Sequence, residues 1–281
     1  MRAGLVQLSA SDDPAANLAP VRDAVRRAVA GGAGFVLTPE VTNCVSSSRA
    51  HQNRVLSHEV DDPMLALLRD EAARAGIWLL AGSLVLKTRD ADGRFANRSF
   101  LIGPAGNIAA RYDKIHMFDV RVSDSETYRE STAIRPGNHA VVARTPFATL
   151  GLSVCYDLRF PHLYRALAQA GAQVLCVPAA FSPVTGAAHW EVLLRARAIE
   201  TGCYVLAPAQ TGDHPRTEGK PRATWGHSLA VAPWGEVLVD AGTEPGVSLI
   251  DLDMAEVSRA RTRVPALAHD RAFASPQGGA A

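Results

Sequence analysis

Apolar runs of strand length alternate along the chain with segments whose apolar residues recur at helical spacing. The strand-length runs are AGLVQLS (3–9), GFVLTPE (34–40), IWLLAGSLVLK (77–87), LGLSVCYD (150–157), QVLCVPAAF (173–181), CYVLAPAQ (203–210) and GVSLIDLD (246–253). Helical patterns cover 15–33, 63–76, 161–172 and 189–202, and hairpins are predicted at 94–114 and 227–242. This alternation predicts an α/β protein with mixed sheets covered by helices.

One short pattern occurs in both halves of the chain. GAGFVLTP (32–39) and GAQVLCVP (171–178) share a Gly-Ala pair, an apolar triplet and a closing proline. The likeness indicates either an internal duplication or the chance recurrence of a short apolar string. No linker-like tract divides the chain, so we predict one domain over residues 1–272 and a disordered tail at 273–281.

The composition is that of an ordinary soluble globular protein. Of the 281 residues, 47% are hydrophobic and 20% are charged, and the formal net charge is +1. A balanced charge without a long basic block argues against binding to nucleic acid or to an anionic membrane surface. No stretch approaches the roughly 20 apolar residues that a membrane span needs, and MRAGLVQLSA fits a first strand better than a signal peptide.

The chain has four widely spaced cysteines and no C-x-x-C pair: Cys44, Cys155, Cys176 and Cys203. This spacing argues against a disulfide framework and a common zinc site, and it favours a reducing cytoplasm. Cys176 and Cys203 lie within apolar runs and are expected to be small buried residues. The histidines show neither H-x-x-x-H nor H-E-x-x-H spacing, so no metal site is predicted, and a cysteine–histidine protease has no local anchor in the sequence.

Three ionisable residues follow strand-length runs, where α/β proteins gather their reactive groups. Glu40 ends GFVLTPE, Lys114 ends the first hairpin and Cys155 closes LGLSV. Cys155 also precedes a predicted helix, whose amino terminus is expected to lower the thiol pKa and to donate N–H groups. Taken singly, each residue has an ordinary reading as a buried thiol or a solvated charge. Together they can supply a nucleophile, a base and an oxyanion stabiliser.

Three segments together resemble the catalytic segments of the nitrilase superfamily of carbon–nitrogen hydrolases. They are TPEVTN (38–43), RYDKIHMFD (111–119) and GLSVCYDLRFP (151–161), in that order and at comparable separations. The likeness extends from the first strand to about VPALAHDRA (264–272). Within the superfamily, AHWEVLLRARAIETGCYV (188–205) and WGHSLAVAPWGEV (225–237) look most like the Nit branch, which includes omega-amidase and deaminated glutathione amidase.

The resemblance implies a four-layer α-β-β-α sandwich with two mixed sheets, and a homodimer or higher homo-oligomer that extends it. It assigns Glu40 as the general base, Lys114 as the stabiliser of the tetrahedral intermediate and Cys155 as the nucleophile. The chemistry is consistent with these roles, because a thiolate attacks an amide better than water does and a thioester divides one difficult step into two. Such a mechanism requires no metal or organic cofactor.

Two further catalytic positions are expected. A second glutamate found in many members of the superfamily matches Glu130 in YRESTAIRPG better than it matches Glu126. The backbone N–H of Tyr156, next to the nucleophile, can donate to the oxyanion alongside Lys114.

The substrate is expected to carry a carboxylate. Arg159 lies about one turn beyond Cys155, and its guanidinium suits a carboxylate, although it could instead pair with Asp157. Thr185 is a second candidate for the same pocket. We expect an amidase that converts the terminal carboxamide of a small carboxylate-bearing metabolite to acid and ammonia through a thioester, and deaminated glutathione is the first candidate substrate.

Other functions stay open at this point. Omega-amidase action on 2-oxo acid amides and N-carbamoyl amino acid hydrolysis both use the same triad. A true nitrilase is less favoured, because those enzymes usually carry tryptophan directly after the nucleophile, where this chain has Tyr156. The non-enzymatic alternative is a binding module with an inactive site, and the intact Glu40, Lys114 and Cys155 argue against it.

Overall fold

Two six-stranded mixed sheets form the frame of the protein, whose computed structural model describes residues 1–122 and 127–274. The strands are β1 (Arg2–Gln7), β2 (Phe35–Leu37), β3 (Trp78–Leu86), β4 (Ala96–Ile102), β5 (Ile108–Asp113), β6 (Asp119–Arg121), β7 (Thr127–Arg129), β8 (Val141–Arg144), β9 (Thr149–Leu152), β10 (Val174–Cys176), β11 (Tyr204–Ala207), β12 (Thr211–Asp213), β13 (Ala223–Trp225), β14 (Leu229–Val231), β15 (Val237–Asp240) and β16 (Gly246–Asp251). The helices are α1 (Pro14–Ala30), α2 (Arg49–Val55), α3 (Pro63–Ala75), α4 (Pro161–Gln169), α5 (Pro183–Thr201) and α6 (Met254–Arg263). Of the tail predicted to be disordered, residues 275–281 lie outside the described residues.

The two large sheets share one topology. The first has the order β16-β1-β2-β3-β4-β5 and the second has the order β8-β9-β10-β11-β14-β15. In each sheet, three parallel strands are flanked by one antiparallel strand on one side and two on the other. The two copies of the Gly-Ala…Pro pattern form β2 and β10, the middle strands of the parallel triplets. The two similar segments therefore occupy equivalent positions in the two sheets.

Alternation along the strands sends side chains into two different cores. Leu37 of β2 lies in the core between the sheets, together with Leu152 of β9. The adjoining Val36 lies in a second core, against Val25 of α1 and Leu68 of α3. Helices α4 and α5 pack on β9 and β11 of the second sheet. The layers follow the expected order α-β-β-α, and no helix among the described residues is long and apolar enough to cross a membrane.

The helix boundaries follow local signals that hydrophobic spacing does not reveal. Ser182 caps α5 by accepting from the Thr185 N–H, and Pro183 opens its first turn. The helical pattern in the sequence predicted a later start, at His189, because SPVTGAA lacks apolar spacing. The short helix α2 and the polar helix α6 were not predicted, because neither carries a long apolar stripe.

The two sheets approach each other closely at the end of β2, beside a bulge in β3. The pairing of β3 with β4 shifts between Ala81 and Leu84. A Cβ atom on Gly82, inside this bulge, would lie 1.9 Å from the Thr38 carbonyl oxygen and 2.6 Å from Cβ of Pro178, which follows β10. Only glycine permits this approach.

Replacing Gly82 by alanine should destabilise the protein by about 3 kcal/mol, because the new methyl group meets rigid backbone on one side and a proline ring on the other. The free energy of unfolding in urea measures the effect. Gly246→Ala is the matched control, since its Cβ would meet nothing nearer than 4.0 Å. Similar losses of stability in the two variants would contradict the close contact at Gly82.

Candidate active site

Three of the predicted residues meet where the two sheets adjoin. Glu40 follows β2, Lys114 follows β5 and Cys155 lies beyond β9, and all three are buried. Oε1 of Glu40 lies 2.9 Å from Nζ of Lys114. The Cys155 thiol lies beside the Glu40 carboxylate, close enough to help lower the pKa of that carboxyl. The fold therefore assembles a carboxylate, an ammonium and a thiol into one cluster.

The Lys114 ammonium lies between two carboxylates. Its Nζ donates to Oε1 of Glu40 at 2.9 Å and to the two oxygens of Glu130 at 3.0 and 2.9 Å. Burial alone would lower the pKa of Lys114, but the Glu130 and Glu40 carboxylates outweigh it and raise the pKa well above its ordinary value. Lys114 is therefore a permanent cation in this cluster.

Glu130, the predicted second glutamate, lies beside Lys114. It begins a short 3-10 helix, Glu130–Thr132, and its Oε2 accepts a hydrogen bond from the Phe118 N–H at 2.7 Å. This bond fixes the orientation of the carboxylate toward Lys114. Glu126, the alternative position, lies outside the described residues.

Asn97 of β4 is a site residue that the sequence analysis missed. It is buried, and its Nδ2 donates to Oε1 of Glu40 at 2.9 Å and lies 3.5 Å from Oε1 of Glu130. Asn97 therefore bridges the two carboxylates and fixes their positions relative to each other. A signal was present in the sequence, since Asn97 is a polar residue inside the strand pattern of the first hairpin.

The chain turns sharply just after Glu40. Val41 has φ of +50°, in the left-handed region that a β-branched residue rarely adopts. Its N–H donates to Oγ of Ser83 at 2.9 Å, so the β3 bulge holds this strained turn. Burial alone would raise the pKa of Glu40, but the Lys114 charge and the adjacent Cys155 thiol outweigh it and keep the pKa below its usual value. Glu40 is thus ionised and able to accept a proton.

Cys155 lies on a second strained turn. Its φ is +52°, and it begins a 3-10 helix, Cys155–Arg159, that separates it from α4. The Cys155 N–H donates to the Pro178 carbonyl at 2.9 Å, and the sulfur lies near the backbone of Ala180, whose N–H acts to lower the thiol pKa. The turn is therefore held from the end of β10.

The expectation that a helix terminus lowers the thiol pKa is wrong. Burial, together with the nearby Glu40 charge, raises the pKa of Cys155 well above its usual value, although Lys114 acts in the opposite direction. The short 3-10 helix does not offset the desolvation of a buried thiolate. The sulfur is therefore protonated at rest, and a base must remove its proton during attack.

Asp157, two residues after the thiol, has a positioning role. It is fully buried and accepts hydrogen bonds from the Tyr112 hydroxyl at 2.6 Å, from Nδ1 of His116 at 2.7 Å and from the Val154 N–H at 2.8 Å. These bonds join the segment after β5 to the turn that carries the nucleophile. Asp157 therefore fixes two of the three strand ends relative to each other.

Arg159 lies beside the nucleophile turn with donors to spare. Its guanidinium lies 5.9 Å from the ring centre of Tyr156 and 5.5 Å from that of Phe181, and both Nη atoms lie 3.3 Å from Nδ1 of His189. Within the described part of the chain, no carboxylate lies within 4.0 Å of it, and Asp157 is not its partner. An arginine held by rings and one imidazole nitrogen keeps N–H groups free for an anion.

Tyr156 and Thr185 have well-defined surroundings. The Tyr156 ring packs edge-on against Phe118 and Phe160, which fixes the peptide group that follows the nucleophile. The Thr185 hydroxyl lies 2.9 Å from that of Ser182, in the first turn of α5. Thr185 is thus engaged with the helix cap, and no contact with the Cys155 cluster is seen among the described residues.

The arrangement supports attack by a thiol assisted by a base. Glu40 lies beside the Cys155 thiol whose proton must leave, and Lys114 balances the charge of the base. Among the described residues, no group of three or more histidine, cysteine, aspartate or glutamate side chains is arranged to hold a metal ion.

Known proteins resemble this chain over nearly its full length. The family profile described as carbon-nitrogen hydrolase matches residues 2–262. The deaminated glutathione amidase of Yersinia enterocolitica is 39% identical, over 96% of this chain and 93% of the relative. The omega-amidase of Mus musculus is 35% identical, over 96% and 95% of the two chains.

Solved structures share the fold. The NitFhit protein of C. elegans superposes with a TM-score of 0.87 at 32% identity, and the match covers 96% of this chain and 65% of that one. A glutamate-to-glutamine mutant of the amidase from Nesterenkonia sp. AN1, with acrylamide added at the active-site cysteine, has a TM-score of 0.75 at 29% identity, over 94% and 98% of the chains. With its fold, its buried cluster and these relatives, the chain belongs to the carbon–nitrogen hydrolase family of the nitrilase superfamily and is a hydrolase of carbon–nitrogen bonds.

Proposed function

We propose that Cys155 is the nucleophile of an amidase that acts on a small carboxylate-bearing amide, with deaminated glutathione as the first candidate. The observation that carries the proposal is the buried contact between the Cys155 thiol, the Glu40 carboxylate and the Lys114 ammonium. The cysteine adduct in the Nesterenkonia amidase supports the same chemistry, and the amidase of Yersinia supports the substrate.

In the first step, Glu40 takes the thiol proton while the sulfur of Cys155 attacks the amide carbonyl carbon. A C–S bond forms, and the carbonyl π electrons move to oxygen. The raised pKa of the thiol makes this proton transfer part of the attack, because little thiolate is present beforehand. The low pKa of Glu40 leaves the base free to accept the proton.

The oxyanion then requires donors. The backbone N–H of Tyr156 and the Lys114 ammonium are the proposed ones, each worth about 3 kcal/mol in sites of this kind. All three Lys114 protons already have carboxylate acceptors, and Glu130 takes two of those contacts. Lys114 can therefore redirect one N–H from Glu130 to the oxyanion without losing either ion pair.

Collapse of the intermediate breaks the C–N bond, and Glu40 returns its proton to the departing amine. Water then enters the vacated position, Glu40 takes one of its protons, and hydroxide attacks the thioester carbon. The C–S bond breaks, the acid leaves and the sulfur regains its proton. One carboxylate thus serves as base and acid in both halves of the cycle.

The identity of the departing amine separates the two leading substrates. A 2-oxo acid amide, the substrate class of omega-amidases, releases ammonia. Deaminated glutathione joins a 2-oxo acid to the amine of cysteinylglycine, so its hydrolysis releases that dipeptide. The expected release of ammonia from a terminal carboxamide therefore applies only to the first class. Both acyl groups carry a carboxylate, which we assign to Arg159, and Thr185 stays a secondary candidate for that contact.

We also propose a homo-oligomer in the cytoplasm. All four cysteines are unpaired and buried, which fits a reducing compartment. Val192 and Ile199 on α5 are exposed, as are Trp234 and Leu238 beside the β14–β15 turn, and a Cβ on Gly235 of that turn would touch Ile199. This contiguous apolar surface fits a second copy of the chain.

The substitution Val192→Glu should dissociate the proposed oligomer, because a charge would be buried without a partner in the interface. Sedimentation velocity of the purified protein measures the change in mass. Val60→Glu, at another exposed valine, should leave the mass unchanged. A monomeric wild-type protein would refute the oligomer without bearing on the amidase.

Cys155→Ala should lower amide turnover by more than about a thousandfold, and Glu40→Gln nearly as much, because both steps of the cycle need the thiol and the base. Ammonia and amine release from a panel of amides and ureido acids measures the loss. Cys176→Ala removes another buried thiol and should keep its turnover. Substantial activity in Cys155→Ala would place the nucleophile elsewhere.

Arg159→Lys should lower the ratio of kcat/KM for a 2-oxo acid amide to kcat/KM for pentanamide by about tenfold, because lysine keeps the charge but loses the two-pronged contact. The loss should come mainly from KM of the anionic substrate. Arg195→Lys, at an exposed arginine that pairs with Glu191, is the control. An unchanged ratio would show that Arg159 has a structural role and does not bind the substrate carboxylate.

A further inference from the structure

The β12–β13 hairpin lies over the active site. Gln210, at its base, donates through Nε2 to the Glu40 carbonyl at 3.0 Å and accepts the Ala10 N–H at 3.1 Å. The loop between the two strands is anchored on Asp12, which accepts the Thr217 N–H at 2.7 Å and its hydroxyl at 2.9 Å. The hairpin is thus held at both ends, next to the backbone of the general base.

Arg222 occupies the inward face of this hairpin. Thr224 and His214 are buried beneath it and joined by a 2.8 Å hydrogen bond. Arg222 lies two residues before Thr224, so strand alternation directs its side chain to the same face. Its Nη2 lies 3.5 Å from the carbonyl oxygen of Ala180. The Ala180 N–H lies near the nucleophilic sulfur, so this guanidinium is one residue removed from the reacting centre.

The Arg222 guanidinium is available for an anion. Across residues 1–122 and 127–274, no carboxylate lies within 4.0 Å of it, whereas Arg98 of β4 contacts both Glu59 and Asp113. Its positive charge nevertheless acts on Glu40, where it helps to lower the pKa of that carboxyl. A partly buried arginine beside a catalytic centre, without an internal carboxylate, fits an external anion.

Arg222 and Arg159 contact neighbouring residues of the segment that follows β10. Arg222 contacts Ala180, whereas Arg159 lies against the ring of the next residue, Phe181. Glu40 delivers a proton to the departing amine, so the part of the substrate attached to nitrogen lies on the Glu40 side. Arg222 directly precedes β13, in the hairpin whose base, Gln210, is bonded to the Glu40 carbonyl, and its charge also acts on Glu40. It is therefore placed to meet a charge on the leaving amine.

We propose that Arg222 is a specificity residue that binds a carboxylate on the leaving amine, so that the enzyme prefers amides of peptide amines over simple carboxamides. The inference rests on the proposed function and deepens it, since it selects between the two substrate classes left open above. Arg159 and Arg222 together would hold a substrate with one carboxylate on each side of the scissile amide. A primary amide with a carboxylate on its acyl side would contact Arg159 but has no carboxylate for Arg222.

A structural role for Arg222 makes a different prediction. Its contact with the Ala180 carbonyl could position the N–H that lies near the sulfur. Loss of that contact would slow every amide equally, whatever its leaving group. The two roles are separated by a pair of substrates that differ only in the charge of the leaving amine.

The test compares deaminated glutathione with its C-terminal amide, whose leaving dipeptide carries no carboxylate. In the wild-type protein, kcat/KM should favour the acid. Arg222→Gln should lower the ratio of the two constants by about tenfold, as expected for loss of a charge-assisted contact, with the change mainly in KM of the acid. Arg222→Lys should restore part of the ratio. Arg216→Gln, in the same loop and bonded only to the Gly219 carbonyl among the described residues, should leave it unchanged.

The outcomes are distinct. An equal loss for both substrates in Arg222→Gln, or an unchanged ratio, would overturn the leaving-group contact while the amidase stands. Hydrolysis of neither substrate by the wild-type protein would overturn the proposed substrate and the contact together. A lowered ratio with turnover of the C-terminal amide preserved supports the specificity role.

Discussion

The buried ammonium of Lys114 is the interaction on which the site depends. The Glu40 and Glu130 carboxylates lie close together and would repel each other without a cation between them. Lys114 lies within 3.0 Å of both, and its charge helps to keep the pKa of Glu40 below its usual value. Removing one partner of such a buried group costs about 3–5 kcal/mol, because the remaining charge is left unpaired. The base therefore exists only as part of this cluster.

Strain and close packing position the cluster. Val41 and Cys155 are two of the three residues other than glycine with positive φ in the described chain, and they adjoin the base and carry the thiol. Each turn is held by the other strands: Val41 by the β3 bulge, and Cys155 by the end of β10. Gly82 allows these segments to approach within van der Waals contact. The equivalent topology of the two sheets brings the ends of β2 and β10 together, so the catalytic groups arise at a junction between two similar halves.

Much of this arrangement was predictable from the sequence, for physical reasons. Apolar runs define strands, and reactive residues such as Glu40 and Cys155 stand out because a charge or thiol directly follows each run. The contributions of Asp157 and Arg222 were not predictable, because each depends on contacts between segments that are distant in sequence. Asn97 gave only the signal of a polar residue inside a strand pattern. The thiol pKa was predicted in the wrong direction, since the sequence shows a neighbouring helix but not the depth of burial. The early start of α5 was missed because a cap and a proline, rather than apolar spacing, define it.

The central claim is that Cys155 becomes acylated during turnover. Wild-type protein can be mixed with an amide substrate, quenched in acid within milliseconds, digested with pepsin and analysed by mass spectrometry. The predicted result is an added mass equal to the acyl group on the peptide that contains Cys155, growing in before product is released and absent from Cys155→Ala. Acylation of Cys44, Cys176 or Cys203 instead, or turnover that persists in Cys155→Ala, would contradict it.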